Sequence, residues 1–227
     1  VTLGILLPTR GRPHNLRRFL EATAETAQGD YTVYVRLDDD DPTLSEYMDV
    51  LEDHLDRTLV EIGPRTGFAA SLNESAAAAD RDGCFYIGMF GDDVEPKSPG
   101  WDVALTEALG GPLGVAYGDD GLRDKHAADL PTHYITQTSV YRRLGYLAPP
   151  GIKHLFLDNV ARDIGRQLGR FLFVPVLIQH RHPWAEGEHL ADKTYEEGGR
   201  NPKIRKSDLM AYQRWSRTRE WRQALRS

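Results

Sequence analysis

Short apolar runs alternate with stretches of helical spacing four times in the first hundred residues. Leu3 to Leu7 is apolar and strand-compatible, and Pro8 closes it. Leu16, Phe19, Leu20, Thr23 and Ala27 then recur on one helix face. Tyr31 to Leu37 alternates, with β-branched Thr32, Val33 and Val35, and predicts a second strand. Asp41-Pro42 opens a second helix, with Thr43 and Glu46 spaced as a capping box and Leu44, Tyr47, Met48, Leu51 and Leu55 as its apolar face. Leu59 to Ile62 reads as a third strand and Phe68 to Ala79 as an Ala-rich helix. Phe85, Tyr86, Ile87, Met89 and Phe90 make a nearly continuous apolar run, the pattern of a central parallel strand covered on both faces. Trp101, Leu105 and Leu109 mark the next helix after Pro99-Gly100. Strand and helix in this alternation predict an α/β fold with a mostly parallel sheet and right-handed crossovers.

The second half is less regular. Leu113 to Tyr117 and Tyr134 to Thr138 read as strands, Val140 to Leu144 as a helical turn, and Gly118 to Pro131 as a loop in which Asp119-Asp120 either lines an acceptor site or, the better reading, forms a turn. Asp158 to Leu168 is expected to be a helix with Val160, Ile164 and Leu168 inward. Phe171 to Ile178 is an apolar strand whose Pro175 requires an edge or a bulge. It runs into Gln179-His180-Arg181-His182-Pro183-Trp184. Asp192 to Arg200 is polar and contains glycine, and Ser207 to Leu225 reads as one basic helix bearing Met210, Trp215 and Trp221.

Composition narrows the class. A chain of 227 residues with 40% hydrophobic and 27% charged positions can bury a core without staples. The single cysteine, Cys84, lies in an apolar strand, so no disulfide framework forms and a reducing interior is the natural setting. No apolar run reaches the roughly 18 residues of a membrane span, and the N-terminus lacks the basic flank of a signal peptide; the expectation is a soluble cytoplasmic protein. The formal charge of −6 is uneven: Lys203 to Ser227 holds eight Lys/Arg against two Asp/Glu, leaving the rest at −12. That basic segment has three readings. It packs its aromatics on the body with arginines outward, it meets an acidic surface such as lipid headgroups or nucleic acid, or it grips single-stranded bases between its aromatics.

The chemistry gathers where predicted strands end. Asp92 and Asp93 directly follow the central apolar run and Gly91. Ligands of open α/β sheets sit at the carboxyl ends of strands, and paired carboxylates there suit a hard divalent cation that also binds phosphate oxygens. The alternative is a solvated turn. His180 and His182 lie two apart and share a face if the strand extends that far; one of them can complete the set with Asp92 and Asp93, since Mn²⁺ accepts imidazole, or both belong to a surface turn. Arg10, Arg12 and Arg65 fall on the same expected sheet edge and are able to hold a diphosphate, although Arg12 reads better as a solvated surface residue. Asp38 can accept a ring N–H, Asp39 to Asp41 reach ribose hydroxyls or cap a helix, and Asp158 is either a general base or an N-cap. No G-x-G-x-x-G follows the first strand, which argues against a dinucleotide site.

Taken in order, these stretches carry a resemblance. Leu3-Gly-Ile-Leu-Leu-Pro-Thr-Arg-Gly-Arg-Pro13, Leu37-Asp-Asp-Asp-Asp-Pro42, Arg65-Thr-Gly-Phe-Ala-Ala-Ser-Leu-Asn73, Phe90-Gly-Asp-Asp-Val94 and Leu157-Asp158-Asn159 resemble the motif series of family 2-type glycosyltransferases with the GT-A fold. Two positions depart from the pattern: Gly91 stands for the first Asp of D-x-D, and Leu157 for the Glu of Glu-Asp. The resemblance implies a GT-A domain over 1–185, with a nucleotide-sugar half (1–110) and an acceptor half (111–185), followed by a basic helical extension (186–227). It implies a nucleotide-diphosphate sugar donor, with UDP favoured, and Mn²⁺ or Mg²⁺ as cofactor. Pro8, Thr9, Arg10, Asp38, Asp39, Arg65, Asn73 and Asp92 would contact the donor, Asp93 with His180 or His182 the metal, and Asp158 would be the base of an inverting transfer to a hydroxyl. The compact length also leaves room for a bacteriophage member that decorates hydroxymethylated DNA bases. A nucleotidyltransferase and a non-catalytic sugar-nucleotide or DNA-binding module are the other classes.

Overall fold

A computed structural model describes residues 2–122, 130–183, 187 and 192–226. Trp184 and the middle of the 118–131 loop lie outside the described residues. The first half follows the alternation: β1 (Leu3–Pro8), α1 (Pro13–Thr26), β2 (Tyr31–Asp38), α2 (Leu44–Glu52), β3 (Thr58–Gly63), α3 (Phe68–Arg81) and β4 (Tyr86–Met89). A short β5 (Val94–Pro96) comes next, then α4 (Trp101–Ala108), β6 (Val115–Asp119), β7 (Tyr134–Gln137), α5 (Thr138–Leu144), α6 (Leu157–Gln167) and β8 (Phe171–His180). The chain ends in α7 (Lys193–Glu197), α8 (Pro202–Arg217) and α9 (Glu220–Ala224).

The strands form one sheet in the order β3-β2-β1-β4-β7-β6-β8-β5. β1 pairs parallel with β2 and β4, β2 with β3, and β6 with β8. β7 runs antiparallel to both β4 and β6, and β5 antiparallel to β8. One face is covered by α1, α2 and α4 through Leu16, Phe19, Tyr47, Leu51 and Trp101, and the other by α3, α5, α6, α8 and α9 through Leu72, Val140, Val160, Trp215 and Trp221. Every residue of β1 is buried, as a strand between two layers must be.

Pro175 sits where a bulge tolerates it. β6 pairs Tyr117 with Phe173 and Asp119 with Leu177, so two residues of β6 advance against four of β8, and the missing N–H of Pro175 falls in the gap. Asp119 and Asp120 form the expected turn, accepting the N–H groups of Gly121 and Leu122.

Four local expectations are corrected. Phe85 is 56% exposed and lies just outside β4. The capping box at Thr43 is absent; Asp41 instead accepts the backbone N–H and hydroxyl of Thr43 with one oxygen and the N–H of Gly11 with the other. Val50 rather than Met48 or Leu55 completes the buried face of α2. The basic segment is two helices, because the chain leaves α8 extended at Thr218 and turns back. That reversal stacks Trp215 on Trp221 at 4.5 Å and buries both, so neither indole can grip a nucleic-acid base. No described helix is long and apolar enough to cross a membrane.

Candidate active site

The carboxyl ends of β1, β2 and β4 open into a cleft of about 760 Å³. Its lining includes Pro8, Thr9, Arg10, Arg12, Asp38, Arg65, Asp92, Asp93, Asp158, His180 and His182. Thr194, Tyr195, Glu197 and Ile204 line it too, so the first half of the chain and its last forty residues meet in one place.

Asp92 is only 5% exposed and accepts the Thr9 hydroxyl at 2.6 Å and Arg12 Nη1 at 3.1 Å. Burial pushes its carboxyl up from the usual range. Asp93 behaves in the opposite way. Burial would raise it, but His180 and Arg12 outweigh that and hold it low, as an ionised carboxylate. His180 Nε2 lies 3.4 Å from Asp93 Oδ2. The cause is β5, which the sequence pattern does not reveal. Val94 pairs with His180, and the N–H of Arg181 donates to the carbonyl of Asp93 at 2.8 Å, so this three-residue strand brings the end of β8 beside the acid pair.

Gly91 has a steric role here. A Cβ at this position would collide with Asp93 Oδ1, because the carboxylate folds back over the glycine. The departure from D-x-D and the position of Asp93 are thus two sides of one arrangement.

The arginines are all held by acids. Arg10 Nη1 donates to Asp38 at 3.0 Å and to Asp40 at 2.5 Å. Arg65 donates to Glu197 at 2.8 Å, with Asp38 3.9 Å away. Arg12 is not the solvated residue expected: its Nε and Nη2 donate to the two oxygens of Asp192 at 2.6 and 2.7 Å while Nη1 faces Asp92. Burial lowers the affinity of this guanidinium for its proton, yet Asp192 and Asp92 raise it overall. Tyr47 supports the same corner, since its hydroxyl accepts the N–H of Arg12 and bonds Thr9 Oγ1 at 2.8 Å.

Asp192, Thr194, Tyr195 and Glu197 form a strap across the cleft that the sequence reading missed. Thr194 donates to the carbonyl of Arg10 at 2.9 Å, and the Tyr195 hydroxyl lies 3.2 Å from His182 Nε2. Asp192 caps α7 by accepting the N–H of Tyr195. The only sequence signal is a helix start at Asp192; nothing local indicates a partner 180 residues earlier.

Asp158 stands in the first turn of α6, also lines the cleft, and accepts the N–H of Asn159 at 2.8 Å. Phe156, just before it, takes a left-handed φ of 68°, a conformation that a bulky residue keeps only when its surroundings impose it. Two residues of α8 do so. Tyr212 stacks on Phe156 at 5.7 Å, and fully buried Asp208 accepts the N–H groups of Lys153, His154 and Leu155. Two predicted residues fall outside the lining. Asp39 is exposed, with its N–H on the carbonyl of Gly63. Asn73 accepts the N–H groups of Leu147 and Ala148 and donates to the carbonyl of Ala148, so its whole side chain fastens that loop.

Among the described residues, no group of three His, Cys, Asp or Glu side chains is gathered tightly enough to enclose a metal ion. Asp93 and His180 remain an adjacent ionised carboxylate and imidazole facing the cleft. Mg²⁺ and Mn²⁺ commonly take one or two protein ligands and fill their other positions with water and substrate phosphate, so this donor set fits such an ion.

No family model matches this chain, and no curated protein matches it. Solved structures do. A mannosyltransferase from Pyrobaculum calidifontis, in complex with GDP-Man and Mn²⁺, aligns over 99% of this chain and 72% of its own, at TM-score 0.65 and 15% identity. Glucosyl-3-phosphoglycerate synthase from Mycobacterium tuberculosis, in complex with Mn²⁺, UDP and glucosyl-3-phosphoglycerate, covers 80% and 72% at TM-score 0.56 and 15% identity. TarS 1–349 from S. aureus, in complex with UDP, covers 80% of this chain and 58% of that one at TM-score 0.54 and 12% identity. These neighbours are nucleotide-sugar glycosyltransferases, and the fold of this chain is of their GT-A type.

Proposed function

We propose that this chain transfers a sugar from a nucleoside-diphosphate donor to a hydroxyl acceptor, assisted by a divalent cation. One observation carries the reading. The ionised Asp93, with His180 beside it, lines the same cleft as Arg10, Arg12, Arg65 and Asp158. A group that binds a cation, groups that bind a diphosphate and a candidate base thus surround one volume, on a fold whose solved neighbours hold UDP or GDP-Man with Mn²⁺.

In this reading Asp93 and His180 hold the metal, with Asp92 behind them fixing Thr9 and Arg12. The bound ion supplies charge neutralisation to the departing diphosphate. Arg10, Arg12 and Arg65 orient its oxygens, and their bidentate geometry suits phosphate. Pro8 and Thr9 form the floor beneath the donor. Asp38 accepts a ring N–H, which selects a base such as uracil or guanine. Asp158 takes the proton of the attacking hydroxyl, so attack opposite the leaving group inverts the anomeric centre. His182, whose Nε2 lies 3.2 Å from the Tyr195 hydroxyl, lines the same cleft and would be the alternative imidazole for the ion. The buried Trp215–Trp221 stack removes the aromatic argument for a single-stranded nucleic-acid acceptor.

The test is turnover of a panel of UDP-, GDP-, CDP- and TDP-sugars with and without Mn²⁺. Hydrolysis or transfer confined to one uracil- or guanine-linked donor and dependent on the ion supports the reading. Metal-independent turnover, or release of pyrophosphate instead of nucleoside diphosphate, refutes it.

A further inference from the structure

The two faces of α8 differ sharply. One is buried by Asp208, Ala211 and Trp215. The other presents Lys203, Lys206, Leu209, Met210, Arg214 and Arg217, all exposed, within an arc of about 140° at 100° per residue. No acid stands on it, because the helix's one acid, Asp208, is fully buried beneath the opposite side.

The cations of this face form no ion pair among the described residues. That contrasts with the cleft, where Arg10, Arg12 and Arg65 are each held by a carboxylate. The remainder of the chain carries an excess of acids, yet none of the described ones pairs with this face, so the mutual repulsion of four neighbouring cations is left to an external partner. Leu209 and Met210 lie among these cations, 38% and 54% exposed. A nucleic-acid backbone would meet the charges but leave those two side chains in water. A lipid surface meets both, taking the apolar side chains into the acyl boundary and the cations at its phosphates. We propose that this face of α8 docks on an anionic lipid surface. Asp208 and Trp215 anchor the helix from behind, so the patch is rigid before it binds. Ile204, beside Lys203, also lines the cleft, so docking holds the cleft mouth next to the headgroups.

The proposal is tested by co-sedimentation of the full chain with phosphatidylcholine vesicles, with and without phosphatidylglycerol. Binding is expected only with phosphatidylglycerol and should weaken as salt rises. Lys206→Ala and Arg214→Ala should each lower partitioning about fivefold. Leu209→Ser with Met210→Ser should also lower it, at unchanged net charge and unchanged thermal stability. Failure to sediment with phosphatidylglycerol vesicles overturns the proposal. So does wild-type vesicle binding by the Leu209/Met210 variant, or binding to duplex DNA that is tighter than to vesicles and insensitive to those two residues. Donor turnover in vesicle-free solution is read separately and should persist in all these variants, so the docking surface and the sugar-transfer reading stand or fall independently.

Discussion

Arg12 and Asp192 close a fork-to-fork ion pair across 180 residues of chain, with two hydrogen bonds of 2.6 and 2.7 Å. The same guanidinium touches Asp92 through its third nitrogen. A carboxylate of the strap therefore occupies the side of Arg12 that a diphosphate would use, and Glu197 does the same to Arg65.

If donor and strap compete for Arg12, weakening the strap should help the donor. Asp192→Asn keeps an oxygen to cap α7 but loses the charge. The expected result is a donor KM lower by about tenfold, given that bonds to charged groups contribute about 1.5–3 kcal/mol. The stability loss should stay near 1 kcal/mol, because Asp192 is partly exposed. An unchanged or higher KM in initial-rate measurements would remove the competition.

Gly91→Ala tests the position of Asp93. The new methyl group drives the Asp93 carboxylate off the glycine and away from His180. We expect the Mn²⁺ concentration for half-maximal turnover to rise about tenfold, the scale on which a ligand's support affects metal affinity. Chain stability should change little. Normal metal dependence in this variant would mean that Asp93 is not a ligand.

Asp208→Ala tests how α8 supports the loop that leads into Asp158. Three N–H groups lose their acceptor, and with a cost of about 1 kcal/mol or more for each, denaturant melts should show a loss of roughly 3 kcal/mol. The loop they secure leads to Asp158, so kcat should fall more than donor affinity. A variant of full stability and kcat would show that the loop is held elsewhere.

His133 makes stability depend on pH. It is buried, neither ring nitrogen has a hydrogen-bond partner among the described residues, it stacks on Phe90, and burial pushes its pKa down to about 3. The unfolded chain takes up a proton near pH 6.5 and the folded chain does not, so its share of stability is full above about pH 6.5 and is lost as pH falls toward the folded value. Partly buried His154 is lowered by the same cause and adds to the slope. Between about pH 6.5 and the carboxylate range near 4, unfolding free energy should fall by up to about 1.4 kcal/mol per pH unit for each such histidine. His133→Phe should remove one proton's worth of that slope in denaturant melts; an unchanged slope would place the titration elsewhere.

Much of the fold and part of the site could be read from local pattern. The run from Tyr86 to Phe90 ending at Asp92-Asp93, the strand ends at Pro8 and Asp38, and the bulge demanded by Pro175 all depend on neighbours a few positions away. What escaped reading is non-local. β5 has three residues and owes its existence to β8, more than eighty positions later, yet it sets His180 beside Asp93. Arg12 looks solvent-exposed until Asp192 folds back over it. Asn73 sits in a motif-like helix start, but its amide meets a loop whose arrival from residues 147–148 no local pattern announces.

The most direct measurement is a calorimetric titration of UDP and GDP into the wild-type chain and Asp93→Asn, each with and without Mn²⁺. The account predicts that the wild type binds one of the two nucleotides in a Mn²⁺-dependent manner and that Asp93→Asn loses the metal-dependent part. Equal affinity and equal metal dependence in the two proteins would contradict it.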